Sequence, residues 1–474
     1  MADNGALEKR QSRMSRETQP DDVPATAPTL VKGITLTAVC TIAMAANISN
    51  TMAVSIALPT IGNELGIQQD QLQWVTNAYA LSSGCLLLMF GRIADVYGRK
   101  KTFLAGALWL FAFTLGCAFV KDALTLEILR GVQGVGGAAI IPAARALPLA
   151  VHWELSSAEL SLSTPSTDTW RAVFYFCAAL AGVCFFGGMY AIQADPPSTE
   201  KDRRVDWLGS FLVTAGLTLI IFILAQGEIA EPKQWGTAYI IALIVLGAFF
   251  LALFIAWQWY LERVQDDPNA AYSIWTPPPL MRLSLWSRAH GRYGVQMIIT
   301  FLNWCVFLSW QFWAQLFYQE YQGYSPMLAA IRFIPMFITG VLCNVFIAAF
   351  VAHVSLVWLM ALGTLITSVA ALLFALIDPN APYWAFGFPA AITSVFGADF
   401  VFAAGTLFIA KISRPHEQSV SGGLFQTMIQ LGTSMGIAVS TVVYDNVQKQ
   451  QGGISSRDAQ LQAYQAAQWT AFGF

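Results

Sequence analysis

Two stretches of this sequence place groups capable of chemistry inside runs that are otherwise small or apolar. Arg130 and Gln133 sit one helical turn apart in LTLEILRGVQGVGGAAII, and Asp399 sits among Phe396, Phe400 and Phe402. An ionisable side chain at lipid depth costs several kilocalories per mole unless something compensates it, so such groups are kept for handling substrate, ions or protons. Asp399 is the candidate to take up and release a proton; the competing reading is a carboxylate paired with a basic group or capping a broken helix. Arg130 reads either as a residue controlling substrate or proton relay, or as a structural charge bonded to backbone carbonyls. Arg332, between Ile331 and Phe333, reads as a side chain snorkelling to the interface. Uncharged polar residues within other runs, Asn47, Asn50, Asn77, Asn303, Asn344, Gln426 and Gln430, are candidates to line a cavity, although some serve only to join helices. Trp304, Trp310, Phe312, Trp313 and Phe317 crowd one segment, as a flat-ligand or cation surface or as a lipid-facing belt.

The elements that must hold these groups are membrane helices. Of 474 residues, 56% are hydrophobic and 11% charged, with a mean hydropathy of +0.54. A soluble protein carries about twice that charge. About twelve runs reach the roughly twenty residues needed to span hydrocarbon. Their cores are 34–58, 73–92, 102–121, 124–149, 171–193, 207–227, 236–259, 295–318, 327–351, 355–377, 384–409 and 419–444. They lack the alternation of barrel strands, and open strands would leave backbone groups unpaired in lipid. The fold class expected is therefore all-α and polytopic. Gly84, Gly134, Gly136, Gly137, Gly422 and Gly432 suit close helix contacts. Seven cysteines, all inside apolar runs, read as packing residues. The polar first thirty residues read as a disordered cytoplasmic tail with no cleaved signal peptide.

Basic residues in short connections give the orientation. The turn Gly91-Arg92-Ile93-Ala94-Asp95-Val96-Tyr97-Gly98-Arg99-Lys100-Lys101 belongs inside, with Asp95 and Arg99 placed to act as a breakable latch. Lys201, Arg203 and Arg204 belong inside as well. An even number of crossings should separate these two connections, yet three apolar runs are visible. The region where a fourth belongs, 152–169, reads HWELSSAELSLSTPSTDT and has no adequate apolar run. Beyond Asp206 the parity works, with Arg263, Arg282, Arg288 and Arg292 inside, 378–383 outside, and Lys411 and Arg414 inside. The closing QWTAFGF looks like the opening of a further helix.

The turn resembles the signature loop of the major facilitator superfamily, and other first-half motifs narrow the resemblance to its fourteen-spanner drug:proton antiporter branch. Ala57-Leu58-Pro59, Trp74 with Tyr79 and Leu81, and the loop residues Gly91, Ala94, Asp95, Gly98, Arg99 and Lys100 match. Arg130 through Ala138 is similar to the R-x-x-Q-G-x-G-x-A pattern that the family places in the pore and links to proton coupling. Trp170 to Phe174 resembles the lead-in to the sixth helix, and Phe388 to Phe400 the fungal aminotriazole-resistance and boron-exporter group. The resemblance implies fourteen helices in two pseudo-symmetric halves, 31–193 and 293–474. Linker helices at 194–259 and a cytoplasmic linker at 260–292 would lie between them. Two departures stand out. The fifth-helix Gly-Pro motif is absent, which means either lost coding sequence or a damaged or spliced form. Asn50 stands where the family often carries an intramembrane Asp, and Asn cannot exchange a proton.

The function expected is secondary transport: proton-coupled efflux of a small molecule by rocking of the halves. The alternatives are a non-transporting sensor on the same scaffold and an inactive truncated transporter. No nucleotide-binding loop is present, and His152, His290, His353 and His416 are scattered singly, so an ATP-driven pump, a membrane enzyme and a bound cofactor or metal are not expected. The near-neutral charge gives no footprint for nucleic acid. The partners expected are lipid, substrate and protons, around a monomer, in the plasma membrane in preference to the vacuolar one.

Overall fold

Within hydrocarbon a backbone N–H or C=O has no water to bond, so each apolar run closes its hydrogen bonds within itself as a helix. The computed structural model describes residues 30–67, 71–145, 170–192, 203–226, 234–267, 273, 275–350, 353–413, 418–450 and 457–474. Each of the twelve apolar runs falls on helix over most of its described residues. The first half holds α1 (Leu30–Leu65), α2 (Gln73–Tyr97), α3 (Arg99–Ala118), α4 (Ala123–Arg145) and α5 (Arg171–Ala191). Next come α6 (Trp207–Gln226), α7 (Ala238–Asp266) and the short α8 (Ser284–Ser287). The second half holds α9 (Arg292–Leu316), α10 (Pro326–Arg332), α11 (Ile334–Phe350), α12 (Leu356–Ala375), α13 (Gly387–Ile412), α14 (Gln418–Gln450) and α15 (Arg457–Gly473). Nine helices among the described residues are long and apolar enough to cross a membrane.

The basic turn is shorter than its sequence suggests. Helix α2 continues through Gly91 to Tyr97, and a single residue, Gly98 at φ 105°, separates it from α3. That backbone conformation is open to glycine and strained for other residues. Lys100 Nζ donates to the carbonyls of Met189, at 3.1 Å, and Ile192, satisfying the exposed C-terminal end of α5. Side-chain detail at Asp95 lies outside the described residues, so the latch partner of that carboxylate is not assigned. Asp206 caps α6 by accepting from the Gly209 N–H at 2.8 Å, and it ties α6 to α7 by accepting from Trp257 at 2.9 Å and Gln258 at 2.7 Å.

These contacts fix where the helix ends lie. Lys100 holds the end of α5 at the inner face. The start of α5 is held at the outer face, where Glu64 accepts from Arg171 at 2.6 Å and Trp170 at 2.7 Å, and Arg171 also donates to the Val120 carbonyl at 3.0 Å. The end of α4 is at the inner face, since a Cβ on Gly91 would meet Pro142 at 3.9 Å. Arg145 and Trp170 therefore stand at opposite ends of the bundle. The parity break read from the sequence is thus a property of the packed helices as well; residues 146–169 themselves lie outside the described set.

At the outer end both halves share one apolar cluster, from Leu58, Ile61, Leu72 and Val75 to Trp310, Trp313, Ile437 and Tyr444. At the inner end the clusters divide. One belongs to α1–α5, and the other joins α6–α9, α13 and α14 with Leu88 of α2. The crowded aromatics of α9 form neither a lipid belt nor an open surface: Trp310, Phe312, Trp313 and Phe317 are buried in the outer cluster. Arg332 does not simply reach for the interface; its guanidinium lies over the rings of Tyr318, Tyr324 and Tyr383 at 5.2, 4.1 and 5.1 Å. All seven cysteines are buried and free.

Two outcomes are expected. Sequencing the transcript across codons 145–175 should reveal an in-frame apolar stretch with Gly-Pro; an uninterrupted transcript identical to this chain would leave α4 and α5 in topological conflict. The hydrogen bond from Arg171 holds the Glu64 carboxyl below its ordinary value of 4.5, with burial opposing and Trp170 assisting. A carboxyl depressed in the folded state stabilises above its unfolded pKa and loses that contribution as pH falls through the folded one. Thermal unfolding should therefore show a small loss of stability on acidification below about 4.5, and Glu64→Gln should remove that component.

Candidate functional site

The first-half site is built around Arg130, which is fully buried. Its Nε donates to the Val75 carbonyl of α2 at 2.7 Å, one terminal nitrogen to the Asn50 carbonyl of α1 at 2.8 Å, and the other to Gln133 Oε1 at 2.7 Å. The Gln133 amide turns away from the arginine and donates to Asn50 Oδ1 at 2.5 Å and Thr114 of α3 at 2.6 Å. The Tyr79 ring lies 4.7 Å from the guanidinium carbon, and its hydroxyl accepts from Asn47 at 2.9 Å. One cation thus gathers α1, α2, α3 and α4.

The glycines that follow Arg130 make this possible. A Cβ on Gly137 would stand 2.6 Å from the Tyr79 hydroxyl and 2.9 Å from the Asn47 amide, and one on Gly136 would stand 2.8 Å from the Leu110 nitrogen. Without side chains there, α4 approaches α1, α2 and α3 closely enough for the arginine to reach their carbonyls. Gly422, by contrast, faces open space. None of the hydrogen bonds of Arg130 goes to a carboxylate among the described residues. The set is a cation solvated by neutral acceptors, and it contains no group that titrates near neutrality.

Asp399 lies at the middle of α13, half-buried, facing α11. Asn344 Nδ2 donates to its Oδ2 at 3.3 Å and to the Gly340 carbonyl at 2.9 Å. A Cβ on Gly340 would come within 3.7 Å of the same carboxylate oxygen. Arg130 and Asp399 therefore occupy different halves and are not brought together. The remaining predicted residues divide likewise. Asn303 joins α9 to α12 by accepting from Thr367 at 3.1 Å, and Gln430 joins the halves by donating to Ser83 at 3.2 Å. Asn77 and Gln426 are buried on the facing helices α2 and α14.

Sequence reasoning had not assigned a role here to Tyr79, Thr114 or the carbonyls of Asn50 and Val75. A tyrosine and a threonine inside apolar runs are a weak signal, and a carbonyl gives none.

The fold and the buried arginine define a polytopic helical membrane protein. The Major Facilitator Superfamily model matches residues 39–151 and 198–437, well over half of the chain, which belongs to that family. Among curated relatives, "Efflux pump terJ" of Aspergillus terreus is 27% identical over 83% of this chain and 77% of its own length. "Aminotriazole resistance protein" of Saccharomyces cerevisiae is 22% identical over 92% of this chain and 80% of its own. Among solved structures, a variant of the nucleoside transporter NupG superposes with a TM-score of 0.58 over 93% of this chain and 98% of its own, at 14% identity, a likeness of fold.

A lysine at position 130 has one compact ammonium where the arginine has a fork. Arg130→Lys should leave acceptors in α1 or α2 unpaired and cost at least about 2 kcal/mol, read as a lowered thermal midpoint of the purified protein.

Proposed function

We propose that the chain is a proton-coupled efflux transporter of the fourteen-spanner branch, moving a small molecule out across the plasma membrane by alternating access. The observation that carries the reading is Asp399. Among the described residues it is the one carboxylate at the middle of a membrane-crossing helix; Glu64, Asp95, Glu127, Glu262, Glu320 and Asp445 sit towards helix ends. An acid at mid-depth is costly as an anion and much less so in its neutral form, so proton uptake and release there change which arrangement of the helices is favoured. The Asn344 amide can donate to the anion or accept from the acid, and so supports both forms.

Arg130 supplies the fixed charge of the other half. Its acceptors come from α1, α2 and α4, so those helices move as one body, and the half responds to a change of charge on Asp399 by rocking as a unit. The shared outer cluster and divided inner clusters suit a state closed to the outside, from which substrate is loaded on the cytoplasmic side.

The test uses the full chain in proteoliposomes with radiolabelled aminotriazole, chosen for the name of the yeast relative. A pH gradient should drive its movement in the wild type. Asp399→Asn should reduce gradient-driven flux at least about tenfold, while exchange without a gradient continues. Gradient-driven flux that survives in Asp399→Asn would overturn the coupling role.

A further inference from the structure

Helices α3 and α5 run antiparallel in close contact, and their register can be read along the whole interface. Towards the inner end a Cβ on Gly188 would meet Phe103 at 2.7 Å and Leu104 at 3.2 Å, and further out one on Gly182 would meet Phe111 at 3.5 Å. At the outer end the rings of Phe119 and Tyr175 meet edge to face with centroids 5.9 Å apart, and Arg171 donates to the Val120 carbonyl at 3.0 Å. This register sets Cys117 of α3 level with Cys177 of α5, each two residues inward of the ring pair. By the helical period Cys117 lies on the face of α3 that carries Phe103, and Cys177 on the face of α5 that carries Gly188. Those are the two faces in contact, so the thiols look at one another across the interface. Both are fully buried and free.

Arg130 stands beside them. Thr114, one turn from Cys117 on α3, belongs to its hydrogen-bond network through Gln133. The charge of Arg130 reaches both thiols, and the thiols reach each other. It does not reach Cys40 and Cys184, which form a comparable pair across α1 and α5. The hydrogen bonds of Arg130 all go to neutral oxygens, so among the described residues this buried cation is solvated by dipoles and bonded to no counter-ion.

We propose that Cys117 and Cys177 hold a soft monovalent cation of the copper(I) class between their two sulfurs. Thiolates select such ions over hard ones, and these ions accept two sulfurs in a line. Among the described residues no third His, Cys, Asp or Glu joins the pair, which leaves zinc, with its four ligands, unserved. Binding displaces one proton from each thiol: two thiols and one cation become a bis-thiolate complex and two protons. The complex carries one net negative charge. Alone at lipid depth that charge is costly; beside Arg130 it is matched one for one. The pair lies about 9 Å inward of Arg171 along α5, so an ion arrives from the outer face past Phe119 and Tyr175, both exposed. The proposal does not depend on the transport reading.

The test is thermal unfolding of the purified, reduced full chain in chloride-free buffer, titrated with Ag⁺ as a redox-stable stand-in for copper(I) and with Zn²⁺ as the control. A ligand that binds the folded state raises its midpoint. We expect Ag⁺ to stabilise the wild type with release of one proton from each thiol, and Zn²⁺ to leave the midpoint unchanged. Cys117→Ala and Cys177→Ala should each weaken the apparent Ag⁺ affinity at least about tenfold. The double variant should be no weaker than either single one, because a bridge is lost with its first sulfur. Cys40→Ala should keep the wild-type response. Serine replacements stand in if the alanine variants do not fold, since a hydroxyl is a poor ligand for a soft ion. No stabilisation by Ag⁺, losses that add in the double variant as for independent thiols, a response lost in Cys40→Ala instead, or equal stabilisation by Zn²⁺ overturns the proposal.

Discussion

The fold of the first half hangs on how a membrane-embedded bundle accommodates one guanidinium. Inserting an arginine at mid-helix costs about 3 kcal/mol on insertion scales and more in simulations. Hydrogen bonds to a charged group return about 1.5–3 kcal/mol each. Three such bonds offset that cost, but only if α1, α2 and α4 are held where Asn50, Val75 and Gln133 can accept together. The glycines after Arg130 and the threonine and tyrosine around it are consequences of that requirement. A side chain that needs acceptors from several helices turns a loose set of apolar rods into one rigid piece.

Rigidity in one half and a titratable acid in the other is a workable division of labour. The half built on Arg130 has a fixed charge and no carboxylate in its network among the described residues, which suits it to act as a reference body in the proposed cycle. Asp399 lies between α11 and α13 with an amide donor on one oxygen and a glycine beside it, surroundings that hold the carboxyl without enclosing it.

Much of this was legible in the sequence, for reasons that lie in the solvent. Lipid forces apolar runs into helices, so all twelve were visible as length and hydropathy, and Arg130 and Asp399 stood out as charges where charge is expensive. The broken parity before Trp170 could be found from basic residues alone, and Lys100 and Arg171 later pinned the same helix ends. What could not be read was the partner of each group. The acceptors of Arg130 are mainly backbone carbonyls, which every residue has, and the tyrosines around Arg332 come from separate segments. Hydropathy likewise could not tell Trp310 and Trp313, buried in the outer cluster, from aromatic residues facing lipid, because both surroundings are apolar.

The outer cluster also carries a thermal consequence for the proposed transport cycle. Parting the halves on that side exposes Leu58, Ile61, Trp310 and Trp313 to water, and hydrating apolar surface raises heat capacity. The rate of outward opening should therefore curve with temperature instead of following a single activation energy. The inner side, where the clusters already divide, carries no such burden. Cargo release to the outside, more than loading from the cytosol, would set how the turnover of this transporter responds to cold and to heat.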